Sequence, residues 1–357
     1  MAIKQLEINQ LRNLNHVTME PEKGFNFLFG DNGSGKTSIL ESIYCLGRGK
    51  SFRTHKSTKL IQEGSDSFTV VGKAVQHGRE TTIGMKRSLQ GSQIRISGKS
   101  IKTTTELTEW LPIALLEPGL HRLIEEGPDY RRKFLDWGVF HVEPGFGIIW
   151  KNYRRALEQR NAALRDRWAQ KTITQWDREL GLAAIELDQA RKRYTKSLLK
   201  AIRNIEYVYD ALPEVDFTYH CGWKEGVHYP DYLSAQYESD RERGFTQFGP
   251  HRADLKIRIG GHEAKDVLSR GQQKLLVATL ILAQCQQLSQ QDTSTVILVD
   301  DLPAELDPDK RQALMQALSK TGAQVFVTGT EMSLFEGADF TDSGVFHVEH
   351  GQVKSLN

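Results

Sequence analysis

Eight residues near the start of the chain, Gly30, Asp31, Asn32, Gly33, Ser34, Gly35, Lys36 and Thr37, match the pattern G-x-x-x-x-G-K-[ST]. No other segment constrains the fold as strongly, because this pattern works in one setting only. Glycines let the backbone curl so that successive N–H groups point into a single concavity. A helix that begins at the lysine adds its positive end. The flanks supply that setting. Residues 25–29 read FNFLF, a short strand-like run, and residues 38–47, SILESIYCLG, carry helical spacing and close on a glycine. In a loop of this kind Lys36 reaches the β and γ phosphates of a nucleotide, and Thr37 offers a hydroxyl to Mg²⁺. The alternative is a glycine-rich turn with an incidental Lys-Thr, and the strand and helix on either side weigh against it.

A second element belongs with the first. Residues 295–301, TVILVDD, have the apolar run of a buried parallel strand and close on two acids. Alone, this reads equally well as a strand followed by an acidic loop. Beside a phosphate loop it becomes the metal and water end of a nucleotide site. Asp300 would hold Mg²⁺ through its water shell, and Asp301 would orient the attacking water or accept its proton. AELDPDKR follows, in which Asp307 before Pro308 is a helix start: a cap, then proline at the first helical position. A further strand-to-loop transition, QVFVTGTE at 324–331, offers Thr328 or Thr330 as a contact to the terminal phosphate, with a plain strand-end turn as the equal alternative.

Between these lies LSRGQQK, residues 268–274, at the head of the apolar helix pattern LLVATLILAQC. Ser269 suits the N-cap, and Gln272 three positions later completes a capping box. Neither explains Gly271, which costs about 1 kcal/mol relative to alanine in a helix. A helix start with bare N–H groups is also an anion site.

The remaining chain has its own texture. The opening IKQLEINQLRNLNHVTMEP alternates as strands do, and FTVVGKAV, ETTIGMKR and SQIRISG form a β meander broken by HG and QGS turns. From about Glu117 the pattern changes: one long helix is expected from Phe146 onward and another over residues 176–205, a helical hairpin or small helical subdomain. The three cysteines, Cys45, Cys221 and Cys285, are far apart with no CxxC pair, which fits buried thiols in a reducing compartment better than a metal site. The N-terminus lacks the apolar core of a secretory signal, and no apolar run approaches the roughly 18 residues of a membrane span. A cytoplasmic protein is the expectation.

The order of phosphate loop, LSRGQQK and acidic strand resembles the ATP-binding-cassette superfamily. It narrows to the RecF family of bacterial DNA replication and repair ATPases in the SMC-like branch. The segments that carry the resemblance span the chain: LRNLN at 11–15, GDNGSGKTSILESIY at 30–44, GRGKSFRT at 47–54, GPDYRRKFLDWGVFH at 127–141, RNAALR at 160–165, GPHRADL at 249–255, LSRGQQKLL at 268–276 and DLPAELD at 301–307. It implies an α/β fold, an ABC-type phosphate-loop ATPase head with a β meander plus a helical insert as a second lobe. Residues 1–112 and 245–357 would form the head and 113–244 the helical lobe. It implies ATP and Mg²⁺ as cofactors, with Arg12, Asn13 and Ser38 joining the loop residues around the nucleotide. Ser269, Arg270, Gly271 and Gln272 would act in trans, on ATP held by a second copy, in an ATP-dependent homodimer. Partners would be DNA (single-stranded, gapped or junction) together with RecR and RecO, in gap repair, recombinase loading and SOS induction, with no membrane.

Three departures from the wider superfamily stand out, of which the first two point to slow hydrolysis, an ATPase that times a DNA complex. The usual glutamate after Asp300 is Asp301, no histidine stands in VFVTGTE, and PIALLEPG lacks the expected glutamine. The alternatives are an ATPase subunit of a transporter, which would keep that glutamine and histidine and lack the insert, a small-molecule phosphotransferase, which has no use for LSRGQQK, and an ATP-gated scaffold without DNA binding.

Total formal charge is only +2, but residues 129–206 hold 17 Lys and Arg against 10 Asp and Glu, so this stretch is at +7 and the remainder at −5. Such asymmetry points to a polyanion. No acid lies between Glu41 and Glu63, where Arg48, Lys50, Arg53, Lys56 and Lys59 recur. These, with Arg131, Arg132, Lys133, Arg154, Arg155, Arg160 and Arg191 to Arg193, are the DNA candidates. For any one of them a solvated helix face or an ion pair, for example with Glu158 or Asp166, is the competing reading.

Overall fold

The structure is a computed structural model and describes residues 2–76, 79–101, 103–203, 205, 212–291, 293–301, 305–335 and 343–356. Its strands are β1 (Ala2–Leu11), β2 (Leu14–Met19), β3 (Phe25–Phe29), β4 (Ser67–Gln76), β5 (Arg79–Ser88), β6 (Gly91–Ile96), β7 (Lys99–Ser100) and β8 (Ile113–Leu116). They continue with β9 (Asp216–His220), β10 (Asp254–Ile259), β11 (His262–Glu263), β12 (Val296–Val299), β13 (Gln324–Gly329), β14 (Gly344–Glu349) and β15 (Gln352–Ser355). The longer helices are α1 (Lys36–Arg48), α2 (Pro128–Val142), α3 (Phe146–Arg165), α4 (Gln170–Arg203), α5 (Arg270–Ser289) and α6 (Pro308–Ser319).

Two compact units emerge: Met1–Leu120 with Ile205–Ala211 and Arg270–Asn357, and His121–Asn204 with Leu212–Ser269. The first carries two six-stranded sheets. One runs β2-β1-β4-β5-β6-β7 and is antiparallel throughout, the β1–β2 hairpin joined to the meander. The other runs β15-β14-β3-β13-β12-β8, with β14, β3, β13, β12 and β8 parallel. β3, β12 and β13 are almost wholly buried, as apolar runs in a parallel sheet should be. α1 packs on both sheets and buries Ile39, Leu40, Ile43 and Leu46 with Leu28, Val70, Leu298 and Phe326 in one core. Each such side chain is worth about 1.5–3 kcal/mol on burial. Leu14, on β2, belongs to the same core, which ties the β1–β2 turn to the phosphate loop.

The second unit is built on α4, 34 residues long, against which α2 and α3 pack. It also holds a three-stranded antiparallel sheet, β11-β10-β9. The chain therefore divides at places other than 113 and 245. Residues 113–116 form β8, parallel to β12, with Val296 opposite Ile113 and Val299 opposite Leu116, so they belong to the ATPase sheet. Residues 245–269 belong to the second unit, because β10 hydrogen-bonds β9 from Asp254–His220 to Arg258–Asp216. The second unit is thus not helical throughout. Cys45, Cys221 and Cys285 are all buried free thiols, and burial pushes the Cys45 and Cys285 thiols up to about 12.

Candidate functional site: a phosphate-loop cleft in the first unit

The phosphate loop leaves the end of β3 and enters α1 at Lys36. Gly30 has φ +149, and a Cβ there would lie 2.1 Å from the Val348 carbonyl oxygen, so β14 passes too close for any side chain. Lys36 is almost fully buried, and its Nζ donates to the carbonyl oxygens of Gly30 at 2.7 Å and Asp31 at 2.9 Å. Those carbonyls hold the ammonium in the curve of the loop. Ser34 Oγ is buried there without a hydrogen-bond partner, an orphaned polar atom of the kind a ligand satisfies.

The turn between β1 and β2 braces the loop from the side. Asn13 Nδ2 donates to Gly33 O at 3.1 Å, and its Oδ1 accepts from Ser38 Oγ at 2.9 Å. Arg12 stands at φ +58, a conformation that costs a non-glycine residue about 1–3 kcal/mol. Its N–H bonds Leu60 O at 2.8 Å, and its guanidinium meets Glu41 in a fork at 2.9 and 3.0 Å. Glu41 is fully buried on α1 and also accepts from Ser51 Oγ. Sequence reading passed over Glu41 and Ser51. The signal for Glu41 was present: an acid among the apolar positions of SILESIY needs a cation.

At the carboxyl end of β12, Thr37 Oγ1 donates to Asp300 Oδ1 at 2.9 Å. Burial pushes the Asp300 carboxyl up to about 6. The hydrogen bond from Thr37 opposes the rise and the negative charge of Asp301 adds to it. Asp301 has φ +48. A cleft of about 400 Å³ opens here, lined by Arg12, Asn13, Asn32, Gly33, Gly35, Lys36, Thr37, Ser38, Arg53 and Asp301. One hydroxyl beside one carboxylate suits Mg²⁺, which keeps several waters and takes further oxygens from phosphates. Among the described residues no group of three or more His, Cys, Asp or Glu is arranged to hold a metal.

Of the two threonines at the end of β13, Thr330 is exposed just beyond it, whereas Thr328, within it, is fully buried with its hydroxyl on Asp300 and Asp301. Ser269 and Arg270 are exposed at the start of α5, with Gly271 and Gln272 half-buried behind them. A Cβ on Gly271 would meet none of the described residues within 4 Å, so none of them requires a glycine there. Of DLPAELD, Leu302, Pro303 and Ala304 lie outside the described residues. Asp307 is the N-cap of α6, its Oδ1 accepting from Lys310 N at 3.0 Å.

The basic candidates separate into committed and exposed. Arg131 forks onto Asp254 at 2.7 and 3.1 Å, and Arg132 donates to Ala253 O at 2.8 Å. Arg160 is fully buried between Asp177 at 2.6 Å and Asp240 at 2.7 Å, and Arg191 forks onto Asp136 at 2.8 and 2.9 Å. Two charges of the +7 excess are answered from outside residues 129–206, by Asp240 and Asp254. Arg48 is half-buried against Tyr44, and Arg53 faces the nucleotide cleft. Arg48, Arg131 and Arg132 are thereby committed within the chain, whereas Arg53 is exposed on the wall of the cleft. Lys50, Lys56, Arg154 and Arg155 are exposed, with Arg154 lying over the Trp150 ring at 5.3 Å and 3.0 Å from Glu158.

A phosphate loop after β3, an acidic strand two places along the same sheet and an antiparallel sheet across α1 define a cassette-type ATPase head. The family model RecF/RecN/SMC N terminal domain matches residues 2–354. The chain is 43% identical over 99% of its length to the DNA replication and repair protein RecF of Shewanella piezotolerans, and 41% identical over 99% to that of Shewanella oneidensis, covering 99% of each relative. It superposes with a TM-score of 0.85 on a solved structure described as the recombination mediator protein RecF-ATPrS in the RecFOR pathway, at 26% identity over 100% of this chain and 98% of that one. An Smc head bound to the C-winged helix domain of ScpA has the same fold, with a TM-score of 0.62 at 16% identity. The chain belongs to the RecF family of DNA replication and repair proteins. Among the described residues no helix is long and apolar enough to cross a membrane.

Proposed function

We propose that the cleft binds ATP with Mg²⁺, that ATP joins two copies face to face, and that the closed dimer holds DNA until slow hydrolysis parts it. The observation that carries the reading is the convergence, in one cleft, of the phosphate loop, Lys36 and the Thr37–Asp300 pair. Lys36 and the loop N–H groups would take the β and γ phosphates. Thr37 and Asp300 would hold the cation, which screens charge on the phosphates. Asp301, on the cleft wall, would orient the water that attacks the γ-phosphoryl group and receive its proton as ADP leaves. Arg12 and Arg53 face the same space and suit the remaining negative charge. The glycine at 271, unconstrained by the described residues of its own chain, supports a second copy approaching that helix start, with Ser269, Arg270 and Gln272 beside it.

The DNA would be single-stranded, gapped or a junction, read through its backbone by Lys50, Lys56, Arg154 and Arg155. The named relatives and the RecFOR structure support RecO and RecR as partners in recombinase loading. The linkage is reciprocal: DNA that prefers the closed dimer tightens ATP.

The test is mass in solution with Mg-ATP, followed by a DNA gel shift at two salt concentrations. An ATP-dependent dimer is expected, with DNA affinity falling steeply as salt rises. Ser269→Arg should bind ATP yet stay monomeric. An equally strong dimer in that variant overturns the trans arrangement, and turnover of many ATP per second on DNA overturns the timer.

A further inference from the structure

Thr328 occupies the carboxyl end of β13, where Val327 pairs with Val299 of β12, so it stands beside Asp300. It is fully buried. Its Oγ1 accepts the N–H of Asp301 at 2.8 Å and lies 3.1 Å from Asp300 Oδ1 and 3.2 Å from Asp301 Oδ1. A hydroxyl carries one proton, so it can satisfy only one of those carboxylates at a time. Asp300 Oδ1 has a second donor in Thr37 Oγ1 at 2.9 Å. Asp301 sits at φ +48, a region that residues with a side chain avoid, and the bond from its N–H to Thr328 tethers the backbone there.

We propose that Thr328 is a positioning residue for hydrolysis, one hydroxyl that both pins the Asp301 backbone and selects which acid receives its hydrogen bond. Were Asp300 engaged with a cation, the hydroxyl would turn its hydrogen bond to Asp301 and fix that carboxylate against the cleft. The metal end and the water end are thereby coupled through one side chain. The inference rests on the reading of the cleft as an ATP site, and the experiment separates the two.

In the full-length chain, the ATP dissociation constant, the single-turnover hydrolysis rate and the lifetime of the ATP-dependent dimer are measured for Thr328→Val and Thr328→Ser. Thr328→Ala carries the same expectation as valine, should the valine variant misfold. The valine variant should bind Mg-ATP within about threefold of the parent, hydrolyse it at least about tenfold more slowly and hold its dimer correspondingly longer. Serine keeps the hydroxyl and should restore all three to within about threefold. On an Asp301→Asn background, Thr328→Val should add less than about twofold, because the two residues act as one unit. Unchanged hydrolysis in the valine variant, a serine variant as slow as valine, or loss of ATP affinity in step with the rate overturns the proposal and leaves the ATP reading standing. A parent chain that binds no ATP overturns both.

Discussion

Arginines serve opposite ends in the two units. In the cleft of the first, Arg12 and Arg53 reach the space where phosphates would lie, and Arg12 remains partly exposed while Glu41 steadies it from a fully buried position. In the second unit Arg160 is sealed between Asp177 and Asp240, and Arg191 is nearly so against Asp136. A guanidinium with one carboxylate and open space is poised for a ligand. One enclosed by two carboxylates in the interior joins helices and is out of reach of an outside ligand. Charge counted along a sequence does not distinguish these, because it ignores where the opposing acids come from.

The largest expected effect breaks the second arrangement. Arg160→Met leaves Asp177 and Asp240 facing each other in the interior and should cost about 3–5 kcal/mol. Burial already raises the pKa of Asp177 above the ordinary carboxylate value even with the arginine in place. Adding Asp177→Asn and Asp240→Asn should recover much of the loss, since the unpaired charge is what costs most. Urea unfolding followed by tryptophan fluorescence reads this directly, because five of the six tryptophans lie in the second unit. Mg-ATP affinity at the first unit should not change.

Lys36→Met breaks the other side of the comparison. Its ammonium, held by Gly30 O and Asp31 O, is the one lysine in the cleft wall. ATP affinity should fall by about a hundredfold, or ~2.7 kcal/mol, in equilibrium binding, while the fluorescence-detected unfolding of the second unit stays as in the parent. A variant that binds ATP normally would remove the phosphate loop from the reading.

These two predictions track what could be read in advance. The loop is contiguous, and strand, glycines and helix announce themselves within twenty residues. The acidic strand and the meander are nearly as local. β8 is different: IALL is a four-residue apolar run whose partner, β12, lies about 180 residues away, and nothing local tells it from the start of a helical lobe. β10 follows the same logic, since its register with β9 assigns residues 245–269 to the second unit. The Arg160 network joins residues 17 and 80 positions apart, and Arg131 reaches 123 positions to Asp254. Thr328 could be listed as a candidate from its strand, but its attachment to both acids depends on the parallel pairing of β12 with β13.

A smaller effect lies at Asp300. Burial pushes this carboxyl up to about 6, and its ionised form is the one that serves the cation. Mg-ATP affinity should therefore hold above pH 6 and weaken about tenfold per unit below it. The sign for stability is opposite. A carboxyl raised above its unfolded value takes up a proton more readily in the folded chain, so its contribution to stability improves as pH falls from above 6 toward 4. Binding isotherms between pH 5 and 7.5, with far-ultraviolet circular dichroism as the fold control, separate the two. Asp300→Asn should flatten the binding profile, and a flat profile in the parent would remove Asp300 from the cation site.

The smallest effect is the most discriminating, because it should act with opposite signs on one chain and on two. Gly271 lies in the first turn of α5 with open space where a Cβ would be. Within a single chain Gly271→Ala relieves the helix of its glycine and should stabilise it by up to about 1 kcal/mol, less at a helix end than in its middle. Between two chains the methyl group would stand where the backbone must come close to a bound phosphate. The alanine variant should melt slightly higher as a monomer, bind ATP as the parent does, and form its ATP-dependent dimer more weakly. Thermal melting without nucleotide and sedimentation with Mg-ATP test the two halves separately. Higher stability with an undiminished dimer would mean that the glycine is free in both settings, and the contact of α5 with a second copy's nucleotide would have to be given up.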